Sequence, residues 1–346
     1  MKNMNTIISS LLRGSSAFAV AAAAMASPAL GGDVNYDAKS PIDAKHVIEE
    51  EEFPEENLWI YTKGTGVRDE GTFEFKIENI TRLGKNAGSY EFHDFRPELE
   101  YGITDKWTIG GELMIFHHDY SNVPWAPMVD TQGGPGGSFK DTNLGGFEIA
   151  TKYEFLRAQD AWMGVAVGLS YERREYYRLD GAAIDQDSLV PQLYLQKSFM
   201  DDRLQWAFRG KTEFENRKSP GVVEKEIAFD LSSGLSYEVK DGLWIGFESR
   251  FQSDFLSPVE DGVQGGNPSD WDWNQWQLGD QFQYGLYVGP TMHWNPEDVD
   301  WWVTAGAMFQ VRGWSADGAT ASNQGKNWDE HEKMHIGILV GYEFGD

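Results

Sequence analysis

From Gly71 to the C-terminus, apolar and polar positions alternate in runs of about ten to fourteen residues, each closed by a turn. In FRPELEYGITDKWTIGGELMIF, Phe95, Pro97, Leu99 and Tyr101 share one face, and Arg96, Glu98 and Glu100 share the other. After the turn Gly102-Ile103-Thr104-Asp105, the apolar face resumes with Trp107, Ile109, Gly111, Leu113 and Ile115, opposite Thr108, Gly110 and Glu112. The layout recurs as Phe147, Ile149, Tyr153 and Phe155 against Glu148, Lys152 and Glu154. It recurs again as Leu204, Trp206 and Phe208 against Arg209, Lys211 and Glu213. A period of two is a β-strand. The pattern predicts strands at 57–63, 71–82, 89–102, 106–118, 145–156, 161–178, 187–199, 203–217, 222–239, 243–254, 281–294, 300–312 and 332–344. A closed antiparallel barrel with both termini on one side needs an even number. The first segment, LWIYTKG, follows an acidic stretch and precedes a turn-like one, so it is set aside as a periplasmic or lumen-docked segment. Twelve strands remain, and the fold class is all-β: one closed antiparallel transmembrane β-barrel over residues 71–346.

Connection lengths agree. Turns near 102–106, 156–161, 199–203, 239–243 and 294–300 are short, and the alternate connections include long ones near 118–145, 253–280 and 313–332. Short periplasmic turns and long outer loops are the asymmetry of outer-membrane barrels.

Alternation does not say which face points outward. The polar face carries Glu74, Lys76, Glu78, Arg96, Glu98, Glu100, Glu112, Glu148, Lys152, Arg209, Lys211, Glu248 and Arg250, mixed signs that suit a wet or ion-paired lumen. Twelve strands closed around an apolar interior leave more space than side chains fill, since about eight strands is the size they fill. The apolar face also bears aromatics beside the short turns: Tyr101, Trp107, Tyr153, Phe155, Phe199, Trp206, Tyr237, Trp294, Trp301, Tyr342 and Phe344. Such a ring is expected where lipid tails meet headgroups. The apolar face therefore points into lipid; Trp162 and Trp244 have the opposite parity and stand outside this scheme.

Composition narrows the class further. The 14 tryptophans fit the girdle, and the absence of cysteine means no disulfide holds the chain. Residues 1–26, with Lys2, Arg13, an alanine-rich run and Ala24-Met25-Ala26, read as a cleaved signal peptide, too short to span a membrane. Cleavage near Ala29 is the alternative. Removing the segment takes the formal charge from -26 to -28, because it holds two bases and no acid. Such a charge excludes nucleic acid as a partner. Residues 27–70, with Glu49 to Glu52, Glu55 and Glu56, read as an acidic periplasmic segment.

The signal peptide, the hairpins and the terminal aromatic strand resemble bacterial outer-membrane β-barrels of porin-like type. RPELEYGITDKW is similar to the hairpin of a family of uncharacterised exported barrels and of phenol-pathway-type outer-membrane transporters. The resemblance implies outer-membrane lipids as surroundings, insertion by the barrel-assembly machinery, and no particular substrate. In HIGILVGYEFGD, Tyr342 and Phe344 resemble the C-terminal assembly signal, which usually ends on its aromatic; Gly345 and Asp346 are read as a short overhang.

The candidate lumen and selectivity residues are Arg96, Glu98, Glu100, Glu112, Glu148, Lys152, Arg209, Lys211, Glu213, Glu215, Glu224, Glu226, Glu248 and Arg250. Glu213, Glu215, Glu224 and Glu226 flank a short outer loop, either as a cation-favouring vestibule or as salt-bridge partners of Arg209, Lys211, Lys218 and Lys225. Trp271, Trp273 and Trp276 in a long loop are candidates for stacking on sugar rings or aromatic solutes, or for packing an infolded loop. His118 and Asp94 near the outer rim do not make a complete catalytic set, so no enzyme, cofactor or metal is expected. The reading is a passive channel for small solutes with a cation bias. A structural or receptor-type barrel with a closed lumen is the alternative, and a rim hydrolase the third. Solute and oligomeric state are not legible.

Overall fold

The computed structural model describes residues 56–123, 136–219, 222–257, 276–296, 299–316 and 324–345. The chain forms twelve strands: β1 (Phe73–Leu83), β2 (Ser89–Thr104), β3 (Trp107–Ser121), β4 (Ser138–Leu156), β5 (Gly164–Tyr176) and β6 (Ala183–Phe199), then β7 (Leu204–Ser219), β8 (Val222–Lys240), β9 (Leu243–Leu256), β10 (Gln281–Trp294), β11 (Trp301–Ser315) and β12 (Met334–Phe344). Each pairs antiparallel with its sequence neighbours, and β1 pairs with β12 from Phe73↔Phe344 to Leu83↔Met334, which closes the barrel. Closure leaves no strand edge, and every strand finds its ladder within the wall.

The predicted face assignment holds. Leu99, Ile149 and Phe247 are 47%, 59% and 53% exposed, whereas Glu74, Glu248 and Lys76 on the opposite face are 0%, 0% and 2% exposed. Apolar side chains outward and charges inward invert a water-soluble protein; the medium outside is lipid. On β3 the apolar band runs from Trp107 to Ile115 and gives way at His117 and Asp119. Ten residues of tilted strand cover about 25 Å, the height of such a band. At the seam the girdle rings touch, Phe73 lying 4.7 Å from Tyr101 and 5.5 Å from Phe344 between centroids.

The two misfit tryptophans have separate explanations. Trp162 precedes β5, 77% exposed, under the Lys197 ammonium at 4.4 Å. Trp244 points into the lumen and packs with Leu58 and Trp59.

That contact identifies the main departure from the expected layout. Residues 56–70 form a strap without regular structure that lies inside the barrel, with Leu58, Trp59 and Ile60 almost wholly buried. Of the two placements left open for LWIYTKG, the lumen is the one adopted. The periplasmic assignment of 27–70 does not extend to residues 56–68; three consecutive large apolar side chains are expensive to leave in water. Residues 27–55 lie outside the described residues. The wall makes room with glycines. A Cβ on Gly234 would run into the Trp59 indole, and one on Gly337 would come within 2.8 Å of Ile60. The space that twelve strands enclose is thus partly filled by the strap.

Two outcomes follow. The unboiled protein should migrate differently from the boiled protein on a denaturing gel, and a single position under both treatments would count against the barrel. Gly234→Val should expel Trp59 while the barrel persists, read as new protease cleavage within 56–70 with the unboiled band retained.

Candidate functional site

A strap with no ladder of its own must find partners for its peptide groups elsewhere. The lumen wall supplies them from side chains. Glu248 on β9 accepts the backbone N–H groups of Ile60 (3.3 Å), Tyr61 (2.9 Å) and Thr62 (2.5 Å). Lys152 on β4 donates to the carbonyls of Gly64 and Gly66, 2.7 Å each, and to Glu56 at 2.7 Å. Gln196 accepts from the Thr65 N–H and the Thr108 hydroxyl from the Arg68 N–H, both at 2.8 Å. Arg209 donates to the Tyr61 carbonyl at 3.2 Å, and the Arg250 guanidinium covers the Tyr61 ring at 3.7 Å. Lys152, Arg209, Glu248 and Arg250, expected to set selectivity, thus hold the strap.

Arg68 ends the strap at the barrel seam. Glu74 of β1 and Glu343 of β12 sit directly opposite each other, an unfavourable pairing of like charges. Arg68 bridges them, 2.8 Å from Glu74 and paired with Glu343.

Outward from the strap lies a cavity of about 280 Å³, lined by fourteen carboxylates and ten Lys or Arg side chains. Glu98, Glu112, Glu148 and Glu172 occupy successive cross-strand positions on β2, β3, β4 and β5, so that four glutamates stand side by side around the wall. Cations are threaded along this row. Lys76 reaches Glu98 at 2.7 Å and Glu100 at 3.5 Å. Arg96 forks onto Asp94 at 2.8 and 3.0 Å and also pairs with Glu112. Arg174 pairs with Glu172 and reaches Glu213 at 3.2 Å.

Two outer connections fold inward over the cavity. In the β5–β6 connection, the Arg178 carbonyl accepts from His118 Nε2 at 2.9 Å, and the Asp180 carbonyl accepts the Tyr120 hydroxyl at 3.0 Å. His118 is therefore an anchor for a loop. Asp94 is engaged by Arg96, and no hydrogen bond joins it to His118 among the described residues. In the β11–β12 connection, Glu332 accepts from Lys85 at 2.8 Å and lies 3.2 Å from His335 Nε2. His335 Nδ1 in turn lies 2.8 Å from the Tyr61 hydroxyl. A continuous polar chain, Lys85–Glu332–His335–Tyr61, joins an outer loop to the strap.

The rim acids find partners other than those expected. Glu213 and Glu215 reach Arg174 at 3.2 and 3.9 Å, Glu215 also reaches Arg217 at 3.3 Å, and Glu224 pairs with Arg217. Arg174 and Arg217 replace the expected Arg209 and Lys211 because they share the level of the acids; Lys211 makes no ion pair among the described residues. Trp271 and Trp273 lie outside the described residues. Trp276 is buried, donating to the Glu215 carbonyl at 3.1 Å beneath the Lys225 ammonium, a packing role rather than an open stacking face. Tyr342 and Phe344 face lipid, stacked 6.0 Å apart.

A model of a family of unknown function, DUF6662, matches residues 51–344. The chain belongs to the DUF6662 family. No curated protein matches it by sequence. Among solved structures, this DUF6662 barrel is similar to the COG4313 outer membrane channel from Pseudomonas putida F1. The two are 8% identical with a TM-score of 0.54, over 81% of this chain and 98% of that one. A KdgM porin matches at 10% identity and a TM-score of 0.40, over 79% of this chain and 99% of that one. The likeness to the COG4313 channel bears on the fold alone, a closed β-barrel.

Arg68→Ala should leave Glu74 and Glu343 facing each other across the seam without the guanidinium that bridges them. Breaking a buried pair from one side costs about 3 kcal/mol, read as a lower urea midpoint for loss of the unboiled gel band. Adding Glu74→Gln should restore most of the loss. Equal stability of Arg68→Ala and wild type would remove the staple role.

Proposed function

We propose that this DUF6662 protein is a passive outer-membrane channel for small solutes with a cation bias, its bore set by the strap and the infolded loops. The observation that carries the reading is the row Glu98–Glu112–Glu148–Glu172. Rings of carboxylate on a pore wall favour cations by charge alone, and the cavity lining has four more acids than bases. The lining is polar, which suits hydrated solutes. The lipid-facing terminal aromatics Tyr342 and Phe344 support recognition by the barrel-assembly machinery.

The strap favours a second reading, a barrel whose lumen stays shut. Its backbone is held by wall side chains at many points, and solute passage needs it to shift or leave a path beside it. Planar-bilayer recording separates the two. In a salt gradient, wild-type protein or protein lacking residues 56–68 should give a reversal potential of cation-selective sign. Replacing the four row glutamates by glutamine should bring that potential towards zero, and deleting the strap should raise conductance several-fold. Absence of current even from the strap-deleted barrel would establish the closed reading; anion preference would reject the bias alone.

A further inference from the structure

At the outer end of the lumen cavity, Arg178 and Arg82 are less closely paired than the arginines beside them. Arg178 enters from the β5–β6 connection, its carbonyl fixed by His118 Nε2 at 2.9 Å and by the Tyr90 hydroxyl at 3.3 Å. Its nearest acids are Glu172 at 3.5 Å and Asp94 at 3.8 Å. Both are engaged more closely elsewhere, Asp94 by the fork of Arg96 and Glu172 by Arg174. The Arg82 side chain, lining the same cavity, makes no ion pair and no hydrogen bond among the described residues. It lies over Phe92, 5.7 Å from the ring centroid. The Nε–H groups of both Arg82 and Arg178 are buried without an acceptor. Arg82 stands across the ladder from Phe92, two residues from Asp94, and Asp94 lies 3.8 Å from Arg178, so both guanidinium groups belong to the same end of the lumen. A guanidinium does not shed its proton at neutral pH. An anionic group carried by a solute would complete the contacts of both side chains.

We propose that Arg82 and Arg178 bind the carboxylate of a small organic solute at the outer end of the lumen. The guanidinium fork matches a planar two-oxygen group. Elsewhere the cavity carries excess carboxylate, so a second negative charge on the solute is repelled and a monoanion is preferred. Glu172, one end of the glutamate row, lies 3.5 Å from Arg178. An ammonium on the same solute meets that row. The site therefore takes a monocarboxylate, and a zwitterion in preference to a dianion. The inference rests on the channel reading only for the route by which the solute arrives.

Binding is measured on purified full-length barrel in detergent, by line broadening of carbon-13-labelled acetate and β-alanine, with unlabelled sulfate as competitor. Saturable binding of acetate and β-alanine is expected, with sulfate competing only at much higher concentration. Charge-assisted hydrogen bonds of this kind are each worth about tenfold in affinity. Arg82→Gln and Arg178→Gln should each lose about that factor, Arg178→Lys less, and Lys140→Gln on the outer surface nothing. The unboiled gel band confirms folding of each variant. No saturable acetate binding to wild type, or unchanged binding in the double glutamine variant, would overturn the site. Sulfate binding as tightly as acetate would overturn the carboxylate assignment. Because no current is read, loss of the channel reading in bilayers leaves this result standing, and the converse holds.

Discussion

Lipid offers no hydrogen bonds, so every peptide group in the wall must be satisfied within the wall. Closing the ladder between β1 and β12 meets that demand and leaves no exposed edge. It also fixes the enclosed width. Twelve strands surround more space than their own inward side chains occupy, and the strap of residues 56–70 is the consequence. Its backbone brings a second set of unsatisfied peptide groups into the same interior. Glu248, Lys152, Gln196 and Thr108 in the wall answer them. The polar character of the lumen thus has two sources: groups that hold the strap, and groups that face the remaining cavity.

The second set shows how charge is arranged when it cannot be diluted by water. Four glutamates side by side would weaken the ladders they sit on. They are tolerated because Lys76, Arg96 and Arg174 bridge to them from neighbouring positions. The balance is local, and it differs along the wall. The row is acid-rich, and Arg82 and Arg178 add two loosely paired guanidinium groups at the outer end. A solute crossing the cavity meets both signs in succession.

Much of the fold was legible in the sequence because a half-lipid, half-lumen wall writes a period of two into every strand. The strand count, the outward face, the girdle and the seam all follow from parity and turn length. The N-terminal end of β4 and the C-terminal end of β3 reach further outward than the apolar pattern, since polar residues such as His117 and Lys140 continue the ladder above the membrane. The site was legible only in part. Parity put Glu98, Glu112 and Glu148 inside, but it does not reveal which inward groups meet the strap. LWIYTKG carried a signal in its apolar run, yet nothing local names Glu248, 187 residues from Tyr61, as its acceptor. Arg178 was missed because the predicted strand 161–178 runs two residues past the end of β5 at Tyr176, where the chain leaves the ladder and its carbonyl is taken up by Tyr90 and His118.

The placement of Arg68 has a consequence for assembly order. The strap leaves the ribosome before any strand, yet its contacts include Glu343 near the end of the last one. His335 and Gly337, which meet Tyr61 and Ile60, also belong to β12. The seat of the strap is therefore unfinished until the final strand arrives.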